Sequence, residues 1–102
     1  MNCCYIIYST QADRYYIGAT HVDVHLRIQQ HNDKSYGQHY TSMADDWRLY
    51  FCIECETYAQ ALNIERHIKK MKSRTYIENL RKYPEISEKL KLKYNPGSGL
   101  SR

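Results

Sequence analysis

Two short runs of β-branched and aromatic residues, Cys3-Cys4-Tyr5-Ile6-Ile7-Tyr8-Ser9 and Tyr15-Tyr16-Ile17-Gly18, flank a polar stretch from Ser9 to Arg14. Side chains of this kind favour extended backbone, and a polar spacer of that length turns the chain back on itself. The chain therefore opens with a β-hairpin, whose apolar surface the remainder must cover. If the turn centres near residues 10–11, Tyr5 and Tyr16 lie opposite each other. Paired residues of an antiparallel hairpin share a face, so both phenols would converge.

The rest of the chain supplies the cover. Thr20-His21-Val22-Asp23 predicts a helix start, a side-chain acceptor followed three residues on by an acid. Val24 and Ile28 then face the core, and the helix ends near His31-Asn32. Residues 33–46 are polar and read as a loop, and Trp47 to Cys55 as a third strand. Thr57 with Gln60 forms a capping box that opens a helix with apolar positions Ala61, Ile64, Ile68 and Met71. A further helix is predicted from Ser73 to Tyr83, with another turn or two beyond Pro84 to Leu92. Residues 1–94 make one domain, and 95–102 a flexible tail. The order β-β-α-β-α-α implies an α+β fold, a small, mostly antiparallel three-stranded sheet flanked by helices.

At 102 residues the chain can bury one modest core. No stretch approaches the roughly 18 apolar residues of a membrane span, and the first residues lack a signal-peptide pattern. A cytoplasmic location is the default expectation. The aromatic content is skewed, with 11 Tyr against one Phe and one Trp, and a phenol combines a burying ring with a tip that can bond or titrate. Charge is skewed too. From Arg66 to Lys93 there are 10 Lys/Arg against Glu78, Glu85 and Glu88, whereas the remainder is net negative. That asymmetry suits a polyanion docking on the C-terminal half, and equally a solvated helical face. Cys52-Ile53-Glu54-Cys55 has metal-ligand spacing, but an odd offset in a strand sends the two thiols to opposite faces, which disfavours a structural zinc.

Three positions sit oddly for a core. Glu65 falls beside Ala61 and Ile68 at the edge of the buried stripe, where a carboxylate is costly unless paired or metal-bound; pairing with Lys69 at i+4 is the plain alternative. Arg27 borders the buried side of the first helix, and His31 stacks one turn later. A guanidinium and an imidazole on one edge could grip a phosphate and shuttle a proton, although singly such residues are ordinary surface groups.

The runs Tyr5-Ile6-Ile7-Tyr8-Ser9 and Arg14-Tyr15-Tyr16-Ile17-Gly18 resemble the opening hairpin of the GIY-YIG nuclease superfamily. Arg27 with His31-Asn32, then Tyr40-Thr41, Trp47-Arg48-Leu49-Tyr50 and Ala61-Leu62-Asn63-Ile64-Glu65-Arg66 continue in the family's order. Ile68-Lys69-Lys70-Met71-Lys72-Ser73-Arg74 is similar to the basic segment of its short stand-alone bacterial members. The match covers about residues 3–80. The first motif reads Cys3-Cys4-Tyr5 and keeps only the tyrosine. Taking Ile6-Ile7-Tyr8 instead would make Tyr8 the motif phenol, on the opposite face of the strand, but the family's wider tyrosine separation favours Tyr5.

What the resemblance implies is a metal-dependent endonuclease acting on DNA, with RNA also open, that selects by structure rather than sequence. It assigns Tyr5 and Tyr16 as the motif tyrosines, with Tyr16 the stronger candidate to deprotonate the attacking water. It assigns Arg27 to the scissile phosphate, His31 to proton transfer and Glu65 to a single Mg²⁺ or Mn²⁺. A phenol near pKa 10 is a poor base in water, so an adjacent cation or metal must assist it. Lys69, Lys70, Lys72 and Arg74 would supply most contacts to the DNA backbone. The competing reading is a non-cleaving nucleic-acid-binding module on the same fold.

Overall fold

A computed structural model describes residues 1–34 and 40–96. Strands β1 (Cys3–Ser9), β2 (Arg14–Thr20) and β3 (Arg48–Glu54) form one antiparallel sheet in the order β2-β1-β3. Helix α1 (Val24–Asn32) and a short 3-10 turn (Tyr40–Met43) come between β2 and β3, and α2 (Tyr58–Met71), α3 (Arg74–Lys82) and α4 (Pro84–Lys93) follow. This is the α+β architecture and element order that the sequence predicts. The two extra turns foreseen beyond Pro84 are a helix in their own right.

Central strand β1 is buried on both sides, and its alternation divides the core in two. Cys3, Tyr5 and Ile7 pack with Val24 and Ile28 of α1, Ala44 and Trp47. Cys4 and Ile6 pack on the other face with Ile53 and with Ala61, Ile64, Ile68, Ile77, Leu80 and Leu90 from α2, α3 and α4. Cys52 lies against the α1 side, and Cys55 lies in the α2 cluster.

The hairpin register differs from the predicted one. Tyr5 pairs with Gly18, and Tyr16 pairs with Ile7. The turn spans Thr10 to Asp13, centred one residue later than predicted, with Asp13 in the left-handed region at φ 52°. Ser9 stays in the strand because its hydroxyl donates to Asp46 while accepting from Ala12 N. Moving the turn centre by one residue slides the partner by two, so both phenols keep the same face, as diagonal neighbours.

One helix boundary also changes. Thr20 ends β2 instead of capping α1, and the cap is Asp23, whose carboxylate accepts from His25 N at 3.2 Å. Thr20 Oγ1 accepts from Val22 N, a local turn that competes with helix. Helix α2 starts as predicted: Thr57 Oγ1 accepts from Gln60 N at 3.1 Å. Gln60 Oε1 closes back on Glu56 N at 2.8 Å, and its amide donates to Lys91 O, tying α2 to α4. Met71, predicted in the buried stripe, is 45% exposed because it is the last residue of α2 and the core packs on the middle of the helix. Left-handed Lys72 at φ 48° stops α2, and Ser73 caps α3. Proline at the first position of α4 lacks an N–H just where a helix leaves that donor unused.

Of the tail, residues 97–102 lie outside the described residues, as do 35–39 of the predicted loop. Among the described residues no helix is long and apolar enough to cross a membrane.

Ile64 is fully buried at the centre of the α2 stripe. Ile64→Ala should lower unfolding free energy by about 2–5 kcal/mol in a guanidinium melt, whereas Met71→Ala should change it by less than about 1 kcal/mol.

Candidate active site

The site assembles at the outer edge of β2, where the two faces of the sheet meet. Tyr5 lies one strand in and is 1% exposed. Its ring rests on Gly18 of β2: a Cβ at that position would stand 2.6 Å from both the Cζ and the hydroxyl oxygen of Tyr5. The glycine is there because nothing larger leaves room for the phenol.

The Tyr5 hydroxyl is 2.9 Å from His31 Nε2, and His31 Nδ1 is 2.8 Å from Thr41 Oγ1. The Thr41 carbonyl accepts from the Trp47 indole at 2.8 Å. Asn32 then clamps the Trp47 backbone, its amide donating to the carbonyl at 2.8 Å and its oxygen accepting from the N–H at 2.7 Å. These bonds join α1, the segment after it and the sheet. Sequence periodicity placed His31 on a helix edge, but it is 1% exposed and part of the core. Burial, and secondarily the Arg27 guanidinium, push its pKa down to about 4. The imidazole is therefore neutral at pH 7, with one donor and one acceptor nitrogen, which two hydroxyls can match in either tautomer.

Tyr16 carries this buried network to the surface. Half-buried on β2, its ring centre lies 6.4 Å from that of Tyr5, 5.1 Å from His31 and 5.6 Å from Tyr40. From the other side of the strand edge, Lys69 of α2 places its ammonium 5.7 Å from the Tyr16 ring centre. The same ammonium donates to Glu65 Oε2 at 2.6 Å. Tyr15, Tyr16, Ile17, Tyr40 and Lys69 line a shallow cleft of about 240 Å³. The Glu65 side chain keeps 15% of its surface exposed and that of Lys69 48%, so the pair is partly exposed, the lysine more than the carboxylate's side chain.

His31, Tyr5, Tyr16 and Glu65 are thus connected, with Lys69 as the link between Tyr16 and Glu65, and Arg27 lies one helical turn before His31 on α1. The remaining predicted backbone contacts divide. Lys70 and Lys72 are exposed at the end of α2. Arg74 donates instead to the Asp13 carbonyl and carboxylate and lies over the Tyr15 ring at 5.1 Å. Tyr8, the alternative motif phenol, is on the opposite face with Tyr15, its hydroxyl donating to Asp13 at 2.6 Å. Sequence reasoning gave no role to Gly18, Tyr40, Thr41 or Trp47. The adjacent Tyr40-Thr41 pair was the available signal, but its partners come from other elements.

A family model of the GIY-YIG catalytic domain matches residues 1–80, a span that contains every residue of this site. The chain belongs to the GIY-YIG catalytic-domain family, and its chemistry is the phosphodiester hydrolysis of a nuclease. Comparison with curated proteins and with solved structures gave no match.

The family generally uses a divalent metal. The donor set here offers Glu65 as a hard oxygen ligand, and among the described residues no three His, Cys, Asp or Glu side chains cluster to form a fuller shell. A single, partly exposed carboxylate fits a hard cation that keeps much of its water and takes further oxygens from a phosphate.

Gly18→Ala should force Tyr5 off its seat, lowering stability by about 1–3 kcal/mol and shifting the His31 ring resonances in an NMR spectrum. The lowered pKa of His31 also fixes a pH dependence. Between pH 4 and 6.5 the unfolded chain binds a proton that the folded chain refuses, so this contribution is complete above pH 6.5 and falls away toward pH 4. Denaturant melts at pH 7 and pH 4.5 should differ more for the parent than for His31→Gln, by up to about 3 kcal/mol.

Proposed function

We propose that this chain is a metal-dependent endonuclease that hydrolyses DNA phosphodiester bonds and selects its substrates by shape rather than base sequence. The observation that carries this reading is the open cleft walled by Tyr16 and Lys69, with His31 packed against the Tyr16 ring and Glu65 paired to the Lys69 ammonium. A phenol and an ammonium at the cleft wall, with a carboxylate held behind the ammonium, are groups suited to a phosphodiester.

Arg27 presents a planar fork of donors that neutralises the non-bridging oxygens of the scissile phosphate. Tyr16, at the cleft wall beside the Lys69 ammonium, orients the attacking water; it first releases its own proton to solvent and then, as the phenolate, accepts the proton of that water. Tyr5 and His31 are positioning residues: both are buried, and their shared hydrogen bond fixes the wall against which Tyr16 packs. Glu65 would hold one Mg²⁺ or Mn²⁺, which when bound supplies Lewis-acid polarisation of the phosphate and charge for the leaving oxygen. Lys69 keeps the carboxylate aimed along α2 and must yield it to that ion, since two cations compete for one group. The shallow cleft and the exposed Lys70 and Lys72 favour contact with the sugar–phosphate backbone, which carries no base sequence.

With Mg²⁺ or Mn²⁺ the protein should nick flapped, branched or supercoiled DNA. Glu65→Gln should bring this to background at an unchanged melting temperature, and Tyr16→Phe should lower kcat by about 10²–10⁴. Cleavage that survives Glu65→Gln defeats the metal assignment. DNA binding without cleavage on every substrate would make the chain a binding module.

A further inference from the structure

One cluster on the α2 side of the sheet is unused by the cleavage mechanism. Tyr8, Tyr15 and Tyr50, one from each strand, bring their rings together with centres 4.9 Å (Tyr8 to Tyr15) and 5.0 Å (Tyr15 to Tyr50) apart. Tyr8 and Tyr15 are direct partners across β1 and β2, and Arg48 is the partner of Tyr8 across β1 and β3. A register shift in β3 between its Phe51 and Leu49 pairings leaves Tyr50 out of the ladder with β1. Each ring is faced by its own guanidinium: Arg48 at 5.8 Å from Tyr8, Arg74 at 5.1 Å from Tyr15 and Arg81 at 4.6 Å from Tyr50. The three phenols are half-buried, and the three arginines are exposed.

Simple charge does not account for this arrangement. Asp13 pairs with Arg74, and Glu78 acts on Tyr15, so two carboxylates offset most of the three positive charges. What the surface offers in quantity is planar groups: three phenols and three guanidiniums. Its position is also specific. Tyr15 belongs at once to this cluster and to the wall of the cleavage cleft. At the far end Arg81 borders a second cavity of about 210 Å³ with Phe51, Pro84 and Lys91.

We propose that this Tyr–Arg ladder receives the unpaired bases of a single-stranded DNA segment running out of the cleavage cleft. Bases stack on the outward planes of the exposed guanidiniums, which the phenols back from beneath, and the arginine N–H groups meet the intervening phosphates. The ladder would give the nuclease its preference for substrates with a single-stranded arm. That consequence rests on the nuclease reading, but the binding itself does not.

The test is fluorescence anisotropy with a labelled short oligothymidylate and a blunt duplex of equal length, both in EDTA so that no cleavage intervenes. Arg48→Ala/Arg81→Ala and Arg48→Lys/Arg81→Lys are compared with the parent. Both residues lie outside the cleavage site, and the lysine pair keeps the charge while removing the planes. Each double variant should weaken oligothymidylate binding by at least about fivefold, leave duplex binding unchanged, and reduce the flap-over-duplex cleavage ratio without slowing duplex nicking. Parent-like binding by the lysine pair, or an equal loss on duplex, overturns the proposal. If no substrate is ever cut while the oligothymidylate result stands, the nuclease reading falls and this one survives.

Discussion

The constraint on which everything else depends is the double burial of β1. Its odd positions commit Cys3, Tyr5 and Ile7 to α1, and its even positions commit Cys4 and Ile6 to α2 and α3. A strand covered on both faces cannot slip by one residue without exchanging its two core sets, so its register is strongly specified. Its neighbours inherit that register. Tyr5 lands over Gly18, Tyr16 lands diagonally beside it, and the functional groups take their places from there.

Sheet order then decides where chemistry can occur. With β1 in the middle, β2 is an edge strand, and α1 and α2 lie on opposite faces of the sheet. The ring network of Tyr5, Tyr16 and His31 belongs to one face, while Glu65 and Lys69 come from a helix on the other. They meet only because Lys69 is long enough to round the edge of β2 and reach the Tyr16 ring. An edge left open is normally a hazard for strand pairing. Here Tyr40, Tyr16 and Lys69 fill it, and the opening becomes the cleft.

The unusual tyrosine content takes on a division of labour in this setting. Tyr5 is sealed in the core with its hydroxyl on a neutral imidazole. Tyr16 and Tyr40 face the cleft. Tyr8, Tyr15 and Tyr50 form a separate group with arginines on the other face. In Tyr15, burial and the neighbouring Tyr50 push the pKa up to about 12, so it stays a neutral ring at physiological pH. A phenylalanine could fill the volume at any of these sites, but it could not supply the hydroxyl that Tyr5 shares with His31 or the proton acceptor proposed at Tyr16.

The sequence by itself determined what local chemistry controls. Caps at Thr57 and Ser73, Pro84 at the start of α4, the 3.6-residue stripe of α2 and the β-branched opening runs each act over a few residues, so the elements and their order could be read off directly. The resemblance to the family's motifs singled out Tyr5, Tyr16, Arg27, His31 and Glu65 as candidates in the same way. Tertiary structure alone decided the hairpin register, which Ser9 and Asp46 fix from distant positions. It also decided the burial of His31 against Thr41, the seat that Gly18 gives Tyr5, and the choice of Lys69 rather than Arg74 to complete the cleft. The reason is physical: periodicity says which face of one element is apolar, but hydrogen bonds and contacts between side chains far apart in sequence exist only once several elements have docked.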